Sequence, residues 1–399
     1  MRSEAKDFRV RTVAILVISL ASGILAYAFN LLVDSYYGPQ NLAHVLAALG
    51  AVSTISLPAS LVSLPVSTWS GLRPDWRRRL PLLQLAALAG GVVSAGLVVL
   101  LRREFGGAWL LPLAVLVAIG SYLPAVNTGV LMGRASFVAA ATVTMLPNLI
   151  RFAGLMVIGH RVGGILEVFW TQGAGYLVAG IIGVLAPYWS REQSAVRSLQ
   201  TTPWASGWVA LAVTAWVAVD VLVATMSLGA QAAAGFAVVA LLGKAPFYLA
   251  QPVVMMVISE EGWGHGRRGA GTLALAGIAL ASVAVAFLAG QLVLTFMRVN
   301  VPPYLLAAYF LGASALSASY LWSGADAQRA RHRWWPLLLA CLFWIGYAVT
   351  GQRTLTQLVL AYAIAQFAGL ACVVGASLAE RLRPRPAVLC TQGMERSEG

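Results

Sequence analysis

The sequence predicts an all-α membrane protein of about twelve spans, and three observations carry that prediction. Hydrophobic residues fill 59% of the 399 positions and charged residues only 10%, where a soluble domain carries roughly a quarter charged. The charges are clustered, and the apolar stretches between them run to about 20 residues, the length a helix needs to cross about 30 Å of hydrocarbon. Those stretches do not alternate apolar and polar residues, as the strands of a membrane barrel do.

The spans follow in order from where the charges fall. Span 1 (12–33) follows Arg2, Lys6, Arg9 and Arg11, and span 2 (43–70) begins after Gly38. Arg73, Arg77, Arg78 and Arg79 separate span 2 from span 3 (80–101). Arg102 and Arg103 precede span 4 (108–132). Arg134 divides span 4 from span 5 (135–158), and Arg161 divides span 5 from span 6 (166–188). Arg191 and Arg197 lie before span 7 (206–226), and Gly229 before span 8 (232–258). Arg267 and Arg268 precede span 9 (270–297), and Arg298 precedes span 10 (303–323). Arg329, Arg331 and Arg333 lead into span 11 (335–351), and Arg353 into span 12 (357–379). Arg381, Arg383, Arg385 and Arg396 close the chain.

With both termini inside, 20 of the 27 basic residues sit in inner segments and 5 in outer loops, while Arg151 and Lys244 fall within spans. That asymmetry predicts a multi-pass plasma (inner) membrane protein with cytoplasmic termini. It also explains the net charge of +13 without nucleic acid as a partner. The basic start, the apolar run and the AYA at 26–28 have the form of a signal peptide, but the repeat described next favours retention of span 1.

The longest inner connection, 190–205, divides the chain into two six-helix bundles, 1–189 and 206–379, with a basic, disordered tail at 380–399. The first spans of the halves correspond. NLLVDSYYGPQNLAHVLAALG (30–50) and DVLVATMSLGAQAAAGFAVVALLG (220–243) each place a polar residue, Asn30 or Asp220, eight or nine residues before a glycine, Gly38 or Gly229. A helix of small residues then follows. Internal repeats of this kind build many secondary transporters, with the substrate path between the halves.

No catalytic constellation appears. His44, His160, His265 and His332 are scattered, and no GxSxG, HExxH or Walker-type loop is present. The three cysteines form neither a CxxC nor a Cys/His cluster, so no metal or cofactor is expected. Transport would then draw on an ion gradient, the membrane potential or the substrate's own gradient.

The informative residues are the polar ones at membrane depth. Ser53, Ser56, Ser60, Ser63 and Ser67 recur at steps of three and four, on one face of span 2. Close helix packing explains such serines as readily as cavity lining does. Lys244, Tyr248 and Gln251 share a face of span 8, with Lys244 about 18 Å from the outer end at 1.5 Å per residue. A charge that deep needs a partner or water. Asn148 and Arg151 lie three apart in span 5, just after Pro147. Arg151 and Asp220 have matching depths in opposite halves, so the spacing predicts that they approach one another as the outer side closes, with Asn30 nearby. Arg151 and Lys244 against Asp220 leave one surplus positive charge, which suits an anionic headgroup.

Three segments carry a resemblance. The stretch 30–50 is similar to the first-span motif of the polysaccharide and lipid-linked oligosaccharide flippases, in the multidrug/oligosaccharidyl-lipid/polysaccharide exporter superfamily. VLMGRASFVAAATVTMLPNLIRFAGLMVIG (130–159) resembles their span 4–5 pattern through Gly133, Phe137 and Arg151. VDVLVATMSLGAQAAAGFAVVALLGKAPFYLAQP (219–252) resembles the opening of their second half through Asp220, Leu228, Ala234 and Gly235. Together the three cover about a fifth of the chain. The departures are Ser35 for an arginine, Gln40 and Asn41 for an acidic pair, Ala43 for a glycine and Phe236 for a tyrosine.

The resemblance implies two pseudo-symmetric bundles that open alternately to each side of a central cavity. It implies passage of a polyprenyl-diphosphate-linked sugar or oligosaccharide to the outer leaflet for surface polysaccharide assembly. Arg151 and Lys244 would hold the diphosphate. Asp220, with Asn30 and Arg151, would gate or couple. Asn148, Tyr248, Gln251, Ser56, Ser60 and Ser63 would meet the rest of the substrate. The partners implied are membrane lipids, the lipid-linked anionic glycan, and a glycan polymerase or glycosyltransferase. The alternatives are a small-molecule or drug exporter of the same fold, a membrane-embedded glycan transferase or polymerase, and a scaffold that transports nothing.

Overall fold

The computed structural model describes residues 2–37, 57–72, 75–105, 110–158, 165–189, 203–262, 268–296, 301–327, 334–351 and 353–382. Among these residues the chain forms thirteen helices and no strand. They are α1 (Arg2–Tyr37), α2 (Leu57–Leu72), α3 (Trp76–Phe105), α4 (Leu110–Gly133), α5 (Phe137–Ile158), α6 (Ile165–Trp189) and α7 (Pro203–Ser227). There follow α8 (Ala230–Gly243), α9 (Ala245–Gly262), α10 (Arg268–Phe296), α11 (Pro303–Ala327), α12 (Trp335–Val349) and α13 (Leu355–Leu382). Eight apolar windows of membrane-spanning length lie in them. Large apolar side chains point outward along these helices, such as Val13 and Val17 on α1, Leu82 and Val93 on α3, and Leu280 and Leu288 on α10. In water that surface would be untenable, and in lipid it costs nothing. The chain is a multi-pass membrane protein.

Every predicted span contains a helix. Span 8 is divided, with α8 ending at Gly243 and α9 beginning at Ala245. Lys244 stands at the joint, at φ −78° and ψ −8°, and its amide still donates to Ala240 O. Several helices overrun their predicted ends. α1 begins at Arg2, α10 at Arg268, and α13 continues to Leu382. Of the serine stripe, Ser53 and Ser56 lie outside the described residues, as does the side chain of Ser60. So do residues 190–202 of the predicted connection and 383–399 of the tail.

The packing repeats itself. In the first half α4 is central, against α2, α3 and α6, while α1 packs on α5 and α5 on α6. In the second half α11 is central, against α9, α10 and α13, while α7 packs on α12 and α12 on α13. Span for span these are the same contacts, shifted by six. Between the halves, α2 packs on α7 and α1 on α9, which the same shift also exchanges. The repeat signalled by Asn30–Gly38 and Asp220–Gly229 is therefore a repeat of architecture. At the α2–α7 seam a Cβ on Gly207 would lie 2.5 Å from Leu61 O and 3.1 Å from Pro65 Cγ, so only glycine lets the two backbones approach this closely.

Candidate functional site

Between the halves lies a cavity of about 470 Å³, walled by α1, α5 and α6 on one side and by α7, α8 and α9 on the other. Each wall brings polar groups that the helical spacing put on one face. From α1 come Ser22, Tyr27 and Asn30. From α5 come Asn148 and Arg151, one turn apart beside Pro147. From α6 come Gln172 and Tyr176. The joint of α8 and α9 brings Lys244, and α9 brings Tyr248 and Gln251. Of the residues singled out from sequence, Asn30, Asn148, Arg151, Lys244, Tyr248 and Gln251 converge here. Ser63 does not line the cavity; its backbone carbonyl lies against Gly129 of α4, which makes that part of the stripe a packing surface.

Among the described residues two cations line the cavity, Arg151 and Lys244, and their surroundings differ. Lys244 is engaged within its own half. Its Nζ donates to Asp220 Oδ1 at 2.7 Å and to Val217 O at 2.7 Å. Asp220 is fully buried, and its Oδ1 also accepts from the Val221 amide at 2.7 Å, while Oδ2 accepts from the Tyr309 hydroxyl. The carboxylate thus meets one ammonium and two neutral donors, as a buried charge requires. Tyr309 comes from α11, and the close approach there needs Gly243, where a Cβ would collide with the Tyr309 ring.

Arg151 is differently placed. Its Nη1 donates to Gln172 Oε1 at 3.0 Å, its guanidinium lies 4.9 Å from the centre of the Phe29 ring, and its Nε has no hydrogen-bond partner. Both contacts are neutral. Arg151 and Asp220, anticipated to approach one another as the outer side closes, are not paired in this structure. Both Asp220 oxygens are taken by Lys244, Val221 and Tyr309, because a lysine on the adjoining span reaches the carboxylate more readily than an arginine across the cavity. The surplus positive charge is therefore that of Arg151.

The remaining bonds hold the walls. Asn148 Nδ2 donates to Ser22 Oγ at 2.7 Å, tying α5 to α1. Tyr27 OH lies 2.8 Å from Leu241 O and 2.9 Å from Leu242 O, which ties α1 to the end of α8 across the halves. Asn30 is buried, donates to Ala26 O, and keeps an unpartnered Oδ1. The sequence reading passed over Tyr27, Gln172, Tyr176 and Tyr309. Gln172, a polar side chain inside span 6, was the one detectable signal among them.

The sequence matches no family model and no curated protein. Solved structures do match, over nearly the whole chain. The multidrug transporter DinF-BH of the MATE family aligns with a TM-score of 0.68 at 12% identity, over 94% of this chain and 95% of that one. The fold is that of the MATE transporters. A MOP superfamily transporter from Pyrococcus furiosus, described as having a binding pocket of reverse polarity, aligns with a TM-score of 0.65 at 14% identity, over 93% and 94%. An outward-facing MATE multidrug resistance transporter of the MOP superfamily aligns at 0.64 and 15%, over 93% and 94%.

Proposed function

We propose that the chain is a secondary transporter that carries an amphipathic anion through the cavity between its halves by alternating access. The observation that carries this reading is the charge balance of the cavity. Arg151 faces it with neutral neighbours and an unpartnered Nε, and none of the described lining residues is Asp or Glu. A cationic solute would meet like charge there, whereas an anion meets a planar fork of donors. The MATE fold supports transport as the activity. The basic residues support cytoplasmic termini in the plasma membrane. An ion gradient or the membrane potential would drive the cycle.

Two substrates fit this reading. One is a small organic anion, exported in the manner of the multidrug transporters that share the fold. A cavity of about 470 Å³ is within the range that holds drug-sized ligands. The other is a polyprenyl-diphosphate-linked sugar, with its headgroup on Arg151 and its tail in the bilayer. The motifs at 30–50, 130–159 and 219–252 favour it, and a glycan polymerase or glycosyltransferase would then be a natural partner.

The test is export from sealed vesicles holding the purified chain, with three fluorescent solutes: an anionic amphiphile, a polyprenyl-diphosphate sugar and a cationic dye. Movement of either anion with exclusion of the cation is expected. Which anion moves separates the two substrates. Preference for the cation would overturn the reading.

A further inference from the structure

The Lys244–Asp220 pair is one end of a longer buried polar line. Asp220 accepts from Tyr309 on α11, and Tyr309 stacks on Tyr362 of α13 with ring centres 4.3 Å apart and planes 12° apart. Beyond Tyr362 the line follows the seam between α11 and α13. Gly312 lies against Tyr362 and Ala363 at one level, and Ser377 donates to Asp326 at 2.6 Å further along. These two contacts fix the facing sides of the helices. At 100° per residue, Ser319 and Ser323 fall between Gly312 and Asp326 on the side of α11 that faces α13. Gln366 falls one turn beyond Tyr362 on the side of α13 that faces α11.

All three side chains are buried, Gln366 at 1% exposure and the two serines at 0%. Yet Ser319 Oγ, Ser323 Oγ and both Nε2 and Oε1 of Gln366 find no partner in the protein. Buried polar groups that lack a protein partner are ordinarily satisfied by ordered water. The far end of the seam is charged. Arg268, the first residue of α10, binds Asp326 Oδ1 at 2.9 Å, and its amide donates to Glu261 Oε1 of α9 at 3.2 Å. A seam of unsatisfied polar groups thus joins Asp220, buried behind the cavity-lining Lys244, to buried acids at the loop end of the same half.

We propose that the α11–α13 seam is a hydrated proton path from the Arg268–Asp326 cluster to Asp220. A proton moves along water held by Ser323, Ser319 and Gln366 and arrives at the Tyr362 oxygen. Tyr362 passes its own proton to Tyr309 as it accepts the new one, and Tyr309 passes its own to Asp220 Oδ2. Both phenols end neutral, and Asp220 ends neutral with one proton gained. Among the described residues the titratable groups facing Asp220 are Lys244 from the α8–α9 joint, Tyr248 from α9, Tyr309 from α11, Tyr362 from α13 and Cys341 from α12. Lys244 is the cation among them, so it alone loses a counter-ion when Asp220 is neutralised. A desolvated ammonium without a counter-ion is costly, so Lys244 turns to the cavity it lines. The path names no substrate, so it goes beyond the transport reading and can fail without it.

The test is proton flux into sealed vesicles with an entrapped pH dye, a clamped potential and an imposed pH step. The full chain should equalise pH at least threefold faster than empty vesicles. Gln366→Leu, and separately Ser319→Ala with Ser323→Ala, should remove that excess. Ser314→Ala should keep it, because among the described residues Ser314 bonds its own helix, at Phe310 O. Flux unchanged in the seam variants, or absent from the full chain, would overturn the proposal. Radiolytic oxidation of the unaltered chain gives a second readout that needs no variant. Tyr362, beside the water, should oxidise at least tenfold faster than Phe236, which is equally buried in aromatic packing. Equal, slow oxidation would show a dry seam and overturn the proposal as well.

Discussion

Replacing Lys244 by Met should destabilise the fold far more than replacing Lys244 and Asp220 together. In Lys244→Met the Asp220 carboxylate keeps the Val221 amide and the Tyr309 hydroxyl but loses its ammonium, in a site with no solvent exposure. Removing one partner of a buried pair costs about 3–5 kcal/mol, because the other charge is left uncompensated. Asp220→Asn strands Lys244 Nζ on the Val217 carbonyl, at a similar cost. The double variant Lys244→Met, Asp220→Asn strands no charge, and the amide oxygen it introduces can still accept from Tyr309. Its cost is that of about one or two neutral hydrogen bonds, roughly 1–2 kcal/mol. The singles would then sum to about 6 kcal/mol or more, and the coupling would exceed about 2 kcal/mol. The assay is reversible unfolding in mixed micelles followed by tryptophan fluorescence. It has a local reporter, since Trp216 and Trp344 pack in the aromatic cluster that holds Tyr362. If the two single effects add within about 0.5 kcal/mol, the pair is not the electrostatic unit described here.

Other consequences follow from the same geometry. Gly207→Val places a methyl-bearing carbon 2.5 Å from Leu61 O, so thermal unfolding should show about 1–3 kcal/mol of overpacking strain. Tyr27→Phe removes the hydroxyl that joins α1 to α8 across the halves, a loss of about 1 kcal/mol. The fraction of molecules with the halves parted should rise about fivefold, read as spin-label distances between α1 and α8. Arg268→Gln removes the cation between Glu261 and Asp326, whose side chains are almost wholly buried, and should cost about 3 kcal/mol, with Arg268→Lys recovering part of it.

How far the sequence carried the account depends on what each residue's type reveals. The spans and their division into halves were legible because apolar length and charge spacing are one-dimensional properties. The two aligned stretches after Asn30 and Asp220 even pointed to the repeat that the helix packing displays. The convergence of Asn148, Arg151, Lys244, Tyr248 and Gln251 was legible because steps of three and four fix a helix face. Which charge meets which was not. Arg151 and Asp220 share a depth, but depth says nothing of distance across a cavity, and in this structure the adjoining span supplies Lys244 to Asp220. Tyr309 was hidden because a tyrosine in an apolar span reads as packing. Arg268 was counted as a loop charge, since loop counting registers a charge at a span end and not its burial against Asp326 and Glu261. For the serine stripe, spacing alone left packing and cavity lining open, and the Ser63 backbone lies against Gly129 of α4.

The central claim is that Arg151 meets an anion in the cavity, and initial-rate export of an anionic amphiphile from vesicles tests it most directly, comparing the unaltered chain with Arg151→Gln. Arg151 donates to one neutral amide and is paired with no acid, so the variant should fold with a stability change of about 1 kcal/mol. Its export of the anion should fall at least tenfold while its retention of a cationic dye weakens. Equal anion export by the two chains, with both folded and inserted, would contradict the account and move the substrate's charge partner elsewhere in the cavity.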